Sequence, residues 1–248
     1  MPASTNLVLA GSLVINAQMP GKSLVRDLYQ VAIQVPWNFP KRIPSVFETG
    51  GRIPQSYHHL TNGSLCLGSE TQLRLLLAEG ISLVGFVERC VVPYLYRFSY
   101  LKKYDEAPFE DLAHGPDGIK EDLRLLFEIE RDSAVVPFVR LASMKRRIAN
   151  KAACPCGSGR RLGRCHNRVV NRLRERLGRY WFRVLERQLK GVAPGGTSPR
   201  YSLQGSSVRS QRDVPVDSVR RTNWSGIQNI FVAMPEKSFS VKPVFGAS

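Results

Sequence analysis

Hydrophobic and polar positions along the chain change their period near residue 66. The stretch LYQVAIQVPW (28–37) alternates, with Tyr29, Val31, Ile33 and Val35 on one side and Gln30, Ala32 and Gln34 on the other. Successive side chains of a strand point to opposite faces, so this is the pattern of a half-buried strand. LVLAGSLVINA (7–17) reads as a strand before it. Pro36, Pro40 and Pro44 then punctuate the chain. Proline cannot donate to a ladder and sits at strand ends and edges. IPSVFET (43–49) predicts a third strand, closed by Gly50-Gly51. These three strands predict an antiparallel meander.

Beyond residue 66 the period is helical. In 81–104, Ile81, Val84, Val87, Val91, Tyr94, Leu95 and Phe98 recur at three- and four-residue steps, with Pro93 expected to kink or split the helix. GIKEDLRLLFEIERD (118–132) predicts a second helix with an acidic first turn. NRVVNRLRERLGRYWFRVLERQLK (167–190) predicts a basic amphipathic third, its stripe made of Val170, Leu173, Leu177, Trp181, Val184 and Leu185. Strands first and helices after is the α+β order. From Gly191 the chain turns to Gly, Ser, Pro, Thr and Arg, too poor in apolar residues to fold alone, so 191–248 is expected to be mostly disordered. WSGIQNIFVAM (224–234) is an apolar island within it, suited to docking.

Charge sharpens this division. The 248 residues carry a net charge of +16, unevenly spread. Residues 1–139 hold 13 basic and 15 acidic side chains, whereas residues 140–200 hold 17 and 2. The change near residue 140 predicts a near-neutral domain over 1–139 and a basic module over 140–190. Such a concentrated field favours polyanions, either nucleic acid or an acidic protein face. The expectation for nucleic acid is weak, sequence-independent binding through the arginines. No apolar run approaches the ~20 residues of a bilayer helix, and the N-terminal stretch lacks a basic region before its apolar part, so no membrane partner is expected and the expected compartment is the cytoplasm.

Thiols in that compartment stay reduced, which points the five cysteines, Cys66, Cys90, Cys154, Cys156 and Cys165, to metal or catalysis rather than disulfides. Cys90 falls within a helical apolar pattern and reads as a packed small hydrophobe. CPCGSGRRLGRCH (154–166) supplies three thiolates and one imidazole, Cys154, Cys156, Cys165 and His166. Four such ligands fill a tetrahedral shell for a structural Zn2+ with no open position. The segment resembles the SEC-C motif, a small zinc-binding unit described at the C-terminus of the bacterial preprotein-translocating ATPase; CPCGSGRR follows it nearly position for position, with His166 where a cysteine often stands. The resemblance implies a docking module for proteins, in some relatives for nucleic acid.

Cys66 stands in HHLTNGSLCLGS, behind a Thr61-Asn62-Gly63-Ser64 turn and eight and seven residues after His58 and His59. Its flanking leucines alone describe a small buried residue. The order of strand, strand, proline-punctuated strand, histidines, Asn-Gly turn, Leu-Cys-Leu and helices resembles the ubiquitin-conjugating enzyme fold over roughly residues 7–130. That resemblance implies that Cys66 is a nucleophile carrying an acyl group as a thioester to an amine, with an activating enzyme and a carrier protein supplied in trans. The chain departs from the family: no N-terminal helix fits before Leu7, and the His-Pro-Asn tripeptide is absent. His58 falls near the place of its oxyanion-stabilising asparagine, with His59 beside it, and an imidazole N–H can donate to an oxyanion. The nearest likeness is to divergent bacterial members in anti-phage operons, which implies a cGAS-like nucleotidyltransferase as a target. The competing expectation is an inactive zinc-containing adaptor that binds protein or nucleic acid. Exposure of Cys66 separates the two.

Overall fold

A computed structural model describes residues 6–109, 115–191, 228–233 and 240–244 of the chain. It is a mixed α/β protein with an antiparallel sheet followed by helices. Strand β1 (Asn6–Gln18) pairs antiparallel with β2 (Val25–Val35), and β2 pairs antiparallel with β3 (Ser45–Glu48). The alternation in β2 is realised in its packing: Tyr29, Val31, Ile33 and Val35 are buried, and Gln30 and Gln34 are exposed.

The next helical stretch comes in three pieces. Helix α2 (Leu83–Phe86) runs into a π turn over Val87–Val91 and then into α3 (Val92–Tyr104), with Pro93 in the first turn of α3. Proline has no N–H to donate, and it follows directly on the π turn, where the helical ladder is already shifted. The π turn inserts a residue into the helical repeat and rotates what precedes it. Val84, expected on the buried stripe, is therefore 50% exposed. Helix α3 is buried almost all round and packs on β1 and β2. Tyr29 Oη lies within hydrogen-bond distance of Ser99 Oγ under that packing, and Ser99 Oγ also donates to Asp27 Oδ2 at 2.8 Å. Burial by itself raises the Asp27 carboxyl, but hydrogen bonds from Arg52, Ser99 and the Leu28 amide outweigh it and hold the carboxyl below its usual range.

The described residues divide into two compact units. Those within Met1–Leu67, Ile81–Asp111 and Arg200–Ser248 form the first; those within Gly68–Gly80 and Leu112–Pro199 form the second. The second unit is helical: α1 (Glu70–Leu77), α4 (Gly115–Phe127), α5 (Asp132–Ser143), the short α6 (Arg146–Ala149) and α7 (Asn167–Leu189). Its core joins Leu123, Phe127, Phe138 and Phe182, with Phe127 stacked on Phe138 at 5.3 Å.

Three sequence expectations are corrected here. The division at residue 140 falls inside α5, in the second unit: charge changes on the surface, while the apolar core of α4 and α5 continues into α7. The helix expected over 118–132 ends at Phe127, because Glu128 takes a left-handed backbone (φ 57°) and the chain restarts as α5. The amphipathic helix over 167–190 is interrupted at Gly178 (φ 77°, ψ 151°), a conformation that favours glycine. Within the tail, expected to be mostly disordered, the described residues of 228–233 and 240–244 form β4 (Gln228–Ala233) and β5 (Ser240–Val244), both antiparallel to β1 on the edge away from β2. β4 lies within the apolar island 224–234. The rest of 192–248 lies outside the described residues. Among the described residues no helix is long and apolar enough to cross a membrane.

Candidate functional site

The segment 152–166 folds as a tight hairpin. Cys154 N donates to Arg160 O at 2.8 Å, Leu162 N to Ala152 O at 2.9 Å, and Ala153 bridges Arg161. Gly157 (φ 85°) lies in the turn between these arms. Gly163 is required for a different reason: a Cβ there would stand 2.9 Å from the Asn150 carbonyl oxygen, so only glycine lets the arm lie this close to the exit of α6. The hairpin delivers Cys154 and Cys156 from one arm. Cys165 and His166 follow a 3-10 turn (Leu162–Arg164) at the start of α7.

These four residues converge. Their ligand atoms all lie within 4.8 Å of one another. Cys156 Sγ is 3.6 Å from Cys165 Sγ, and His166 Nδ1 is 3.2 Å from Cys165 Sγ and 3.3 Å from Cys154 Sγ. Zinc bonds of about 2.3 Å to sulfur and 2.0 Å to nitrogen in a tetrahedron set S···S near ~3.8 Å and S···N near ~3.5 Å. The spacing and the donor set fit an ion such as zinc. Burial pushes the Cys154 thiol up to about 11, and a hydrogen bond from Ser158 leads the causes that draw Cys156 down to about 6. A bound cation deprotonates coordinating thiols outright. Cys154 is buried, the His166 ring meets Phe138 edge-on at 5.1 Å, and Leu162 is sealed in the core, so the cluster is tied into the helical core. Helix α5, which carries Phe138, was missing from the sequence reading. Its signal was the apolar run Ala134–Phe138, masked by Pro137 inside the helix.

The other candidate residues sit in the first unit. Leu60 to Ser64 close a small turn: Leu60 N donates to Ser64 O at 2.7 Å, and Ser64 N and Oγ both donate to Asn62 Oδ1. His59 then bridges Leu65, and Cys66 N donates to His58 O at 2.7 Å. This backbone pairing brings Cys66 and His58 side by side. Leu65 N donates to Val46 O at 2.7 Å and seats the loop on β3. Cys66 is partly exposed, while its neighbours Leu65 and Leu67 are buried.

A residue absent from the sequence reading as a site candidate holds this loop. Tyr94 Oη donates to Tyr57 O at 3.1 Å and to His58 O at 3.3 Å. Burial pushes the Tyr94 hydroxyl well up, so it remains a donor. His58 has a left-handed backbone (φ 40°), a strained state for a non-glycine residue. Its ring meets Tyr57 edge-on at 4.7 Å, and Tyr57 Oη accepts from Arg97 at 2.9 Å. His59 Nδ1 is buried and, among the described residues, has no hydrogen-bond partner. Cys90 is 3% exposed, and its burial pushes the thiol up to about 12.

A family model of the SEC-C motif matches residues 151–168, the segment that carries the Cys/His cluster. No curated protein and no solved structure matches the chain.

Proposed function

We propose that the first unit is a ubiquitin-conjugating-enzyme-like acyltransferase with Cys66 as its nucleophile, and that the second unit is a zinc-stabilised docking module. The observation that carries this reading is the contrast among the thiols. Cys90 is sealed, Cys154, Cys156 and Cys165 belong to the metal cluster, and Cys66 is the remaining thiol: partly exposed, on a loop held beside β3.

The reaction needs little from the protein beyond that thiol. The Cys66 thiolate attacks the carbonyl carbon of a carrier's C-terminal acyl group, held as a thioester on the activating enzyme. A new C–S bond forms at Cys66, and the activating enzyme's sulfur leaves with the electron pair. The target's amine then attacks the same carbon. The C–N bond forms, the C–S bond to Cys66 breaks, the amine's surplus proton passes to solvent, and the thiol is regenerated. An ordinary thiol is already a few per cent thiolate at neutral pH, so no dyad is required. The tetrahedral oxyanion needs a donor. We take His58 as the candidate donor, because its backbone pairs directly with that of Cys66, whereas His59 Nδ1 is enclosed. The carrier, the activating enzyme and a target such as a nucleotidyltransferase of an anti-phage system follow from the family likeness.

The test is loading with candidate activating enzymes, ATP and ubiquitin-like carriers, read as a thiol-sensitive adduct on non-reducing gels. Wild type should form a thioester, Cys66→Ser a thiol-resistant oxyester or nothing, and Cys66→Ala nothing. His58→Ala should load normally and discharge slowly. A Cys66 thiol that resists alkylation in the native protein, together with a badly destabilised Cys66→Ala variant, would return the residue to the core and leave the adaptor reading.

A further inference from the structure

The second unit carries a charged surface that acyl transfer through Cys66 does not use. No acidic residue occurs between Asp132 and Glu175, a stretch that holds α5, α6, the metal hairpin and the first turns of α7. Hydrogen bonds bring its basic side chains together. Gly163 N donates to Asn150 O at 3.0 Å, which ties the 3-10 turn to the end of α6, and the Cys154–Arg160 and Ala153–Arg161 pairings close the hairpin. Arg146 and Arg147 on α6, Arg160 and Arg161 on the hairpin, Arg164 on the 3-10 turn and Arg168 on α7 are all exposed. Among the described residues none of these six guanidinium groups is in an ion pair. Farther along α7, by contrast, Arg172 pairs with Glu128 at 3.1 Å and Arg176 with Glu79 at 3.7 Å.

Six unneutralised guanidinium groups on about twenty residues repel one another, and a row of anions relieves that repulsion. What the surface lacks identifies the partner. A protein-docking site has an apolar centre inside its polar rim, but between Arg146 and Arg168, all of them described, the only large apolar side chain exposed is Ile148. We propose that this surface, assembled on the Cys3His hairpin, binds the phosphate backbone of nucleic acid, without base selection.

Full-length zinc-loaded protein is titrated against a labelled 25-base-pair DNA duplex, a single-stranded RNA of one strand's sequence and polyglutamate, by fluorescence anisotropy over 50–300 mM salt. Binding of duplex and RNA should weaken linearly in log salt, more steeply for the duplex, because each neutralised phosphate contributes about 0.9 to the slope on duplex and about 0.7 on single strands. Replacing Arg160, Arg161, Arg164 and Arg168 with glutamine should flatten the duplex slope by about 3.6 and weaken binding at least tenfold at 100 mM salt. Zinc content reports whether that variant keeps its hairpin; Arg146→Gln/Arg147→Gln, away from the ligands, should flatten the slope by about half as much. The proposal fails if neither nucleic acid binds at 50 mM salt, if both variants bind like wild type, or if polyglutamate binds as tightly as the duplex, which would make the surface a dock for acidic protein.

Discussion

Cys156 and Cys66 are both partly exposed thiols, yet their surroundings are built from opposite materials. Cys156 meets its partners within thirteen residues of chain, and side chains do the work: sulfur to sulfur, sulfur to imidazole, all within 4.8 Å. Cys66 is held by backbone. Its amide bonds the His58 carbonyl, its neighbour bonds β3, and the hydroxyl of Tyr94, 28 residues on, fixes the carbonyls on the other side of the loop. The first arrangement turns its sulfurs toward one another at a spacing that fits a shared ion, which suits structure. The second holds a partly exposed thiol through backbone hydrogen bonds, which is what the proposed transfer through Cys66 would use.

The largest expected effect breaks the first region and spares the second. Cys154→Ser should reduce the metal content from about one zinc per chain to near none, by elemental analysis. It should also destabilise the helical unit by several kcal/mol, since structural zinc supplies of the order of 10 kcal/mol of site free energy. Cys66 should remain alkylatable at the wild-type rate in that variant. If it does not, the two units are less independent than their separate cores indicate.

A sharper contrast comes from two cysteines of the first unit. Cys90→Ala leaves a small void in the packed helix and should cost roughly 1 kcal/mol in denaturant unfolding. Cys66→Ala should cost less than half of that, because the residue is only partly buried. Equal costs would mean that Cys66 is core after all.

Somewhat under 1 kcal/mol is expected from Asp27→Asn, because Asp27 and Arg52 form a bidentate pair at 2.6 and 3.0 Å in which Arg52 remains partly exposed. The folded carboxyl is depressed, so its contribution is fully present above the unfolded value of about 3.9 and is lost as pH falls through the lower folded value. Melting curves of wild type and variant should therefore differ at pH 7 and converge toward pH 2–3. The metal region should show no change at neutral pH.

Tyr94→Phe should cost about 0.5–1 kcal/mol, for a hydroxyl shared between two carbonyls. Its informative reading is the alkylation rate of Cys66, which should rise several-fold as the His58 segment loosens. An unchanged rate would show that the loop is held by β3 alone.

Local physics made the Cys3His cluster, the alternation of β2 and the Pro-Gly punctuation around β3 legible in the chain. Each depends on residues a few positions apart. Charge was legible too, but it described the surface: the step near residue 140 lies within a helix whose inner face belongs to the core of the second unit. Helix α5 escaped because Pro137 argues locally against a helix that packing on α7 stabilises anyway. The π turn at Val87–Val91 and the break at Gly178 shifted apolar stripes whose spacing had suggested continuous helices.

What the sequence determined by itself is therefore short in range: a closed Cys3His donor set, a meander of strands, and a stretch of arginines without acids. What the tertiary structure decided is long in range. It separated Cys66 from the sealed Cys90, placed Tyr94 over the loop that presents it, and laid β4 and β5 on the free edge of β1. Those outcomes depend on contacts between residues tens to hundreds of positions apart, whose free energies exist only after the intervening chain has been ordered, and no local pattern encodes them.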